Sequence, residues 1–408
     1  YGDGFWSEAQ LVADEAVKMG KFVWGDAITL GALNKIAGVG AVAAGGKFIS
    51  ALDKTEDAVR GYRALWKHIL AVSVTDLKKN YNNLNVEFDL WKGESDADPY
   101  IPGLIDTLKA KGLLHESQGA MVVDVMEETD TKEIPPCIVQ KSDGAALYAT
   151  SDLATLVQRQ EDFQPDMVIY LADKRQEMHF TQVFRVSKKA SIMGENTELI
   201  FNGFGTMNGK DGKPFKTRDG GVMRLEELVG DINSKMLDKI VENHAIPEEE
   251  AKEIAKKVGL AALKYGDLSN QAAKDYVFDV DRFISFEGNT APYLQYAYSR
   301  ISSIFKKAGD LKPGKIVISH EVEEELANKL LAFNDAVQSV GAKALPNLLC
   351  NYIFELSNLF MRFYEACPIL KDGVNEETKV SRLALCELTA KVIKQGLNLL
   401  GINVMEQM

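Results

Sequence analysis

Residues 167–205 have the sequence MVIYLADKRQEMHFTQVFRVSKKASIMGENTELIFNGFG, in which two short β-rich runs flank a stretch of helical character. The runs MVIYLA and ELIFNGFG are rich in apolar residues, whereas the stretch HFTQVFRVSKKASI has apolar residues at helical spacing. Three further β-rich runs, GAMVVDV, CIVQ and ALYAT, precede them. Strands that alternate with helices predict a parallel sheet whose ligands bind beyond the carboxyl ends of the strands. We therefore predict an α/β half-domain of the nucleotide-binding kind over residues 113–205.

The chain before residue 113 is predicted to be mainly helical. Apolar residues recur at helical spacing from Asp57 to Asn80, and a second helix is expected to end at Lys111. The run IAGVGAVAAGGKF fails as a phosphate-binding Walker loop, because Ala41 and Phe48 replace the Gly and the Ser or Thr that such a loop requires. We interpret that run as a flexible connector. Residues 1–112 are then the tail of a preceding half-domain and a helical insertion.

The chain after residue 205 is predicted to be a loop followed by helices. Residues 206–224, TMNGKDGKPFKTRDGGVMR, are rich in glycine and basic residues and predict a mobile cationic loop. That loop and its connecting helices make up residues 206–285. Residues 286–408 are predicted to form an all-helical bundle, with a weak helical pattern only in residues 309–319.

Composition bounds the class of protein. The 408 residues, 46% of them hydrophobic, are enough for two to four domains. A net charge of −12 argues against nonspecific binding of polyanions over the whole surface. Acidic and basic residues balance from Ala291 to Met408, however, so the acidic excess lies before that segment. A nucleic acid could approach the neutral carboxyl-terminal part.

The cysteines predict a reducing compartment. They lie too far apart in the sequence for a zinc site or a disulfide framework, and we expect small buried thiols. They are Cys137, Cys350, Cys367 and Cys386. No window has the roughly 18 apolar residues of a membrane span. We expect a cytoplasmic protein without a membrane partner.

Polar side chains follow the predicted strands where ligands of such a sheet bind. Tyr148 and Asp152 lie four residues apart, and Gln176, His179 and Gln182 follow the next strand. A carboxylate, a phenol and an amide suit a cation with many hydrogen-bond donors, such as a planar guanidinium. The alternative is structural: Asp152 caps a helix, and Tyr148 and His179 belong to the core.

Four segments, in order, resemble the arginyl-tRNA synthetase family of class I synthetases. They are DGAALYATSDLA at 143–154, QEMHFTQ at 176–182, FEGNTAPYLQYAYSR at 286–300 and RLALCELTAKVIKQGLNLLGINVMEQM at 382–408. The resemblance implies a Rossmann-like catalytic half-domain followed by an all-α anticodon-binding bundle. It further implies ATP-dependent activation of L-arginine, with magnesium as counterion, and transfer of the arginyl group to the 3′ end of tRNA(Arg).

The resemblance also assigns site residues. It places substrate arginine on Tyr148, Asp152 and Gln176. It places ATP near His179, Gln182 and Lys213. The run KPFKTR is similar to the KMSKS motif without matching its string, so that Lys216, Thr217 and Arg218 would neutralise the charge developing on pyrophosphate.

The same resemblance places tRNA on Tyr293, Tyr296, Arg300 and Met408. The first three recur at helical spacing after Pro292 and would present two rings and a guanidinium on one face. Such a face can stack unpaired bases. Taken without the resemblance, an aromatic stripe is more often part of a core.

The resemblance implies one run that is absent. Class I synthetases hold ATP phosphates with a His-x-Gly-His run, and none of the five histidines here lies in one. We expect the chain to be the carboxyl-terminal two-thirds of a monomeric enzyme, and to lack pyrophosphate exchange when assayed alone. Two alternatives stay open: a non-catalytic paralogue or fragment that binds tRNA or arginine, and a class I synthetase specific for cysteine or a neutral amino acid.

Overall fold

The computed structural model describes residues 56–213, 225–243 and 247–406. The chain divides into two compact units. The first runs to Asn83 and from Glu87 to Gly203, and the second comprises Leu84–Val86 and the chain from Phe204 onward.

The first unit combines helices with short strands. Its helices are α1 (Glu56–Asn83), α2 (Ile101–Ala110), α3 (Tyr148–Phe163) and α4 (Glu177–Ala190), with 3-10 turns at Glu94–Tyr100 and Lys174–Gln176. Its strands are β1 (His115–Ser117), β2 (Ala120–Val123), β3 (Cys137–Gln140), β4 (Met167–Asp173) and β5 (Glu198–Phe204). The helices predicted from Asp57 and before Lys111 are both confirmed.

The predicted parallel arrangement is wrong for the first three strands. The strands β1, β2 and β3 form an antiparallel sheet in that order, and β4 pairs separately with β5. Gln118 and Gly119 join β1 to β2, with φ angles of 52° and 81°. A two-residue hairpin with positive φ at both positions matches the twist of antiparallel strands. The Gln-Gly dipeptide was therefore the local signal for a hairpin, which the strand-by-strand prediction missed.

The segment ALYAT is extended only at its start, where Ala146 forms an antiparallel bridge with Gln140, so its prediction as a strand is wrong from Tyr148 onward. Helix α3 begins at Tyr148, after an extended Leu147 at the N-cap. The Thr150 hydroxyl accepts a hydrogen bond from the Leu147 N–H at 3.0 Å and donates to the carbonyl of Val139 on β3. These bonds satisfy a helix-end donor and tie the helix start to the strand, which outweighs the β preference of Tyr and Thr.

The core of the first unit lies between the helices and the antiparallel sheet. Leu104 and Leu108 of α2 pack in one cluster with Val123 of β2, Leu153 of α3 and Val183 of α4, all almost fully buried. Each such side chain contributes about 1.5–3 kcal/mol relative to exposure. Helices α3 and α4 are thereby fixed against the same strands, and they carry the candidate residues Tyr148, Asp152, His179 and Gln182.

The second unit is mainly helical, as predicted. Its helices are α5 (Leu225–Asn243), α6 (Glu248–Leu268), α7 (Val280–Phe283), α8 (Ala291–Ala308), α9 (Glu321–Leu331), α10 (Phe333–Lys343), α11 (Asn347–Ala366) and α12 (Glu376–Leu399). Residues 311–319 lack regular structure, which agrees with the weak pattern there. The short strands β6 (Met207–Asn208) and β7 (Tyr276–Val277) pair in parallel.

Two apolar clusters hold this unit together. One joins α5 and α6 around Ile232, Met236 and Val258. The other, around Leu294 and Phe360, joins α8 with α9, α11 and α12. Within the described ranges, no helix combines the length and apolar character that a membrane span needs.

Candidate active site and RNA-binding face

Asp152 lies on α3, and its carboxylate contacts a histidine of α4. The Nε2 atom of His179 is 2.5 Å from Oδ2 of Asp152. The two side chains are 30% (Asp152) and 27% (His179) exposed, so both reach solvent from a largely covered position. Because a carboxylate oxygen only accepts hydrogen bonds, Nε2 is the donor. Two residues that the sequence placed 27 positions apart thus form one pair.

The structural alternatives for Asp152 and Tyr148 do not hold in the structure. Asp152 does not cap its helix, because α3 begins at Tyr148. The Tyr148 side chain is not part of the core, since the residue is 58% exposed. It shares a helix face with Asp152, four residues away. His179 is half-buried and bonded to a carboxylate, with its ring edge-on to Phe180 at 5.0 Å.

Gln176 lies at the turn between β4 and α4 and is exposed. Asp173, which ends β4, accepts hydrogen bonds from the backbone N–H of Arg175 and from its guanidinium, and these bonds lower the pKa of Asp173 to about 2. Gly203 of β5 lies against this turn: an added Cβ would be 2.9 Å from the Lys174 Cα. Only a glycine allows so close an approach. The turn that carries Gln176 and precedes α4 is therefore stabilised by the Asp173–Arg175 bonds and by close packing against Gly203.

Two buried groups respond to the Asp152 carboxylate. Burial raises the pKa of the Tyr170 phenol to about 12; the Arg159 guanidinium opposes this rise and the Asp152 carboxylate adds to it. Arg159 lies over the Tyr170 ring, 4.8 Å from its centroid. Burial, with the Asp152 charge, also raises the pKa of the Cys137 thiol to about 12. Tyr170 and Cys137 therefore stay neutral beside Asp152, and sequence reasoning did not include either in the site.

Gln182 has a structural contact. Its Nε2 donates to the carbonyl oxygens of Pro135 at 2.8 Å and Pro136 at 3.3 Å. Pro135 and Pro136 belong to the loop between β2 and β3, and two other side chains of α4 bond to this loop. Arg185 forms two short bonds with Asp130, and Lys189 donates to the Asp124 carbonyl. Three positions spaced by three and four thus fasten the loop to α4. The assignment of Gln182 to ATP remains a prediction.

The Arg185 contact predicts a pH effect. Hydrogen bonds from the Arg185 guanidinium, and then from the Glu127 N–H, lower the pKa of Asp130 to about 2. A lowered carboxyl pKa stabilises the fold above about pH 4, and this stabilisation is lost as pH falls towards about 2. We expect Arg185→Met to raise the pKa of Asp130 towards its ordinary value, as measured by NMR titration. Arg175→Met is the matched control: it should raise the pKa of Asp173 and leave that of Asp130 near 2, and an unchanged Asp130 in Arg185→Met would contradict the assignment.

The cationic loop is described only at its start. Lys213 is exposed, its N–H donates to Asp211 Oδ1 at 3.1 Å, and its carbonyl accepts from Gly209. Lys210 lies 3.2 Å from the carboxylate of Asp279, just after β7. The predicted catalytic residues Lys216, Thr217 and Arg218 lie outside the described residues, as does Met408. The described contacts anchor the base of the loop next to the β6–β7 pair.

The residues of the predicted aromatic face lie on α8. Helix α8 begins after the N-cap Thr290, with Pro292 in its first turn. The guanidinium of Arg300 hydrogen-bonds the Tyr296 hydroxyl and lies 4.9 Å from the centre of that ring. It also lies 5.0 Å from the ring of Tyr364 on α11, which sequence reasoning missed because it lies 64 positions away from Arg300. These side chains are all half-buried, and Tyr364 also packs against the core cluster of the second unit.

Tyr293 extends the same face. Its hydroxyl donates to Asn358 Oδ1 at 2.7 Å, and its ring meets Phe354 edge-on at 5.8 Å. Gly401 and Asn403 are held on the same unit: Gln295, fully buried, donates to the Asn403 carbonyl, and Lys264 donates to the Gly401 carbonyl. The chain after α12 is therefore tied to α6 at Gly401 and to α8 at Asn403.

Comparison with known families decides the class. A family profile described as "tRNA synthetases class I (R), catalytic domain" matches residues 43–280. The chain belongs to the class I arginyl-tRNA synthetase family. A second profile, "DALR anticodon binding domain", matches residues 294–408. The predicted order of a catalytic part followed by a helical anticodon-binding part is thereby confirmed. The two profiles together match most of the chain, beyond the four short motifs.

Relatives in this family are similar over most of the chain. A protein of Agathobacter rectalis named arginine–tRNA ligase is 55% identical over 362 residues, which cover 86% of this chain and 60% of the relative. One of Alkaliphilus oremlandii with the same name is 53% identical, with the same coverage. The chain thus spans about 60% of the length of these curated relatives.

Solved structures support the fold. The arginyl-tRNA synthetase of Plasmodium falciparum aligns over 98% of this chain and 67% of that chain, with a TM-score of 0.76 at 24% identity. The Thermus thermophilus arginyl-tRNA synthetase aligns over 98% of this chain and 73% of that chain, with a TM-score of 0.71 at 20% identity. The fold is that of a class I synthetase catalytic domain with a helical carboxyl-terminal domain.

Proposed function

We propose that this chain carries the arginine pocket, part of the ATP site and the tRNA-binding helices of an arginine–tRNA ligase. The enzyme would join the carboxylate of L-arginine to the α-phosphate of ATP, release pyrophosphate, and pass the arginyl group to the 3′ end of tRNA(Arg). The proposal rests on the partly exposed Asp152 carboxylate. Asp152 shares a face of α3 with Tyr148, and His179 of α4 donates a hydrogen bond to its carboxylate. Family membership supplies the reaction class.

A single carboxylate in this position suits arginine better than lysine. A carboxylate accepts two parallel N–H bonds from a guanidinium, whereas an ammonium is a point charge that leaves one acceptor without its partner. An unpaired acceptor in a closed pocket costs about 1–3 kcal/mol. With Gln176 and Tyr148 as further partners, two or three such losses would give the hundredfold or greater rejection of lysine that a synthetase needs.

Charge neutralisation would come from the loop after β6. Lys216, Thr217 and Arg218 would meet the pyrophosphate, with Lys213 at the described base of the loop and His179 and Gln182 assigned to ATP by the resemblance. Magnesium would enter as the counterion of the ATP phosphates. Positioning and electrostatic stabilisation, rather than a covalent intermediate on the protein, account for catalysis of this kind.

The tRNA would bind the face of Tyr293, Tyr296 and Arg300, with Met408 at the chain end. The half-buried rings and the Arg300 guanidinium offer flat surfaces for unstacked bases. We also propose a monomer that works in the cytoplasm, a setting supported by four buried cysteines without disulfides.

We expect Tyr296→Ala to weaken tRNA(Arg) affinity by roughly 1–3 kcal/mol, because a stacking surface for bases and for Arg300 is removed. Filter binding at fixed salt measures the change. Tyr298→Ala is the matched control, since Tyr298 is half-buried on the same helix but lies two positions from Tyr296, on a different helix face. An equal loss of tRNA affinity in both variants, or none in Tyr296→Ala, would return Tyr296 to a structural role.

The proposed function is tested by aminoacylation. The protein expressed from its complete reading frame should transfer labelled arginine to tRNA(Arg) in the presence of ATP and magnesium. Binding of tRNA or arginine without any transfer would instead indicate a non-catalytic member of the family. Transfer of another amino acid would contradict the arginine pocket.

A further inference from the structure

The Asp152–His179 pair has a geometry that fixes one oxygen of the carboxylate. His179 Nε2 lies 2.5 Å from Oδ2, and the two residues come from different helices. A carboxylate rotates easily about its last torsion, which has a broad, two-fold energy profile. A donor on a separate, anchored helix removes this freedom.

We propose that His179 is a positioning residue for substrate arginine: its Nε2–H holds the Asp152 carboxylate in the one orientation that receives a guanidinium fork. The proposal deepens the proposed function and rests on it. It gives His179 a role at the amino-acid pocket, in addition to or in place of the ATP contact that the resemblance implies.

The acceptor count is compatible with this role. An ionised carboxylate offers about four lone-pair positions, and a guanidinium fork uses one on each oxygen. His179 occupies one position on Oδ2, so both oxygens retain capacity for the substrate. The histidine therefore orients the carboxylate without having to leave when arginine enters.

The histidine itself is held by its helix. Phe180, the next residue, is almost fully buried and stacks on Phe201 of β5 with centroids 5.2 Å apart. Further along α4, Gln182 and Arg185 fasten the helix to the loop between β2 and β3. A side chain on so constrained a helix can hold a substrate-binding group within the fraction of an ångström that a pocket requires.

The test compares two variants of the protein expressed from its complete reading frame. His179→Gln keeps an N–H donor near the position of Nε2, whereas His179→Leu removes the donor at similar volume. Arginine-dependent exchange of pyrophosphate into ATP, with tRNA(Arg) present, yields separate KM values for arginine and for ATP. We expect His179→Leu to raise the KM for arginine about tenfold or more, the equivalent of one lost hydrogen bond to a charged group, with the KM for ATP within about threefold. His179→Gln should restore the KM for arginine to within about threefold.

His115→Leu is the matched control. His115 of β1 lies 3.6 Å from the carboxylate of Asp124, so it repeats the histidine–carboxylate contact outside the proposed pocket, and its loss should leave both KM values unchanged. If His179→Leu does not fold, His179→Asn replaces it, because that amide is too short to reach Oδ2. An unchanged KM for arginine, or a rise confined to the KM for ATP, would overturn the proposal. Absence of arginine-dependent exchange in the unsubstituted protein would instead overturn the proposed function.

Discussion

Replacement of Asp152 by Asn is expected to lower kcat/KM for arginine by at least about a hundredfold, a loss of about 3 kcal/mol. The substitution removes the charge that the guanidinium needs and turns one acceptor oxygen into an NH₂ donor. That donor would face either the His179 N–H or the N–H groups of the substrate. Pyrophosphate exchange by the protein expressed from its complete reading frame measures the effect.

Asp162→Asn is the matched control for this prediction. Asp162 lies on the same helix, and its carboxylate pairs with Lys92 at 2.6 Å on the surface. The same substitution there should leave the kinetics for arginine near normal. Near-normal kinetics in Asp152→Asn would remove Asp152 from the arginine pocket.

Replacement of Arg382 by Met is expected to destabilise the second unit by about 3–5 kcal/mol, because it leaves a buried carboxylate without its cation. The Arg382 Nε atom donates to Glu323 Oε1 at 2.7 Å, with the side chains 11% (Arg382) and 1% (Glu323) exposed. Arg382 also donates to the Pro368 carbonyl, and the second Glu323 oxygen accepts from the N–H of Ser319. The pair therefore joins α12 and α9 to the chain between α11 and α12. Urea unfolding measures the loss.

Arg362→Met supplies the control for this stability effect. Arg362 of α11 pairs with Glu325 of the same helix α9 at 2.8 Å, but the side chains are 56% and 37% exposed. An exposed pair contributes about 0–1 kcal/mol, so the control should unfold almost as the unsubstituted protein does. Equal losses in the two variants would mean that burial of Glu323 does not determine the energy of its pair.

The same carboxylate predicts acid sensitivity. Burial raises the pKa of Glu323, but the Ser319 N–H, Arg382 and the Ser319 hydroxyl together outweigh burial and lower it. A lowered pKa means that the stabilisation is present above the ordinary glutamate range and is lost as pH falls through the folded-state value. Arg382→Met should reduce this part of the acid dependence.

Local patterns predicted the helices well, because burial of one face dictates apolar spacing. The helix starting near Asp57 and the helix α8 after Pro292 follow that rule, and so does the face of Tyr293, Tyr296 and Arg300. Strand direction followed from turn chemistry instead. The Gln118–Gly119 hairpin sets the antiparallel sheet, and the cap at Leu147 and Thr150 starts a helix at Tyr148, within the run ALYAT.

Sequence patterns could nominate the candidate site residues but not their contacts. Spacing placed Tyr148 and Asp152 on one face, and composition placed Gln176 and His179 after the next strand. The bond between His179 and Asp152 depends on how two helices pack, which neither segment encodes alone. The positions of Tyr170 near Asp152 and of Tyr364 beside Arg300 could not be predicted either, because they also depend on tertiary packing.

The most direct test is the amino-acid specificity of pyrophosphate exchange by the protein expressed from its complete reading frame. The amino acids to compare are arginine, lysine, cysteine, methionine and leucine, each at saturating ATP and with tRNA(Arg) present. We predict exchange with arginine alone, with lysine rejected at least about a hundredfold. Exchange supported by a neutral amino acid, or by lysine at a comparable rate, would contradict an arginine pocket built on Asp152.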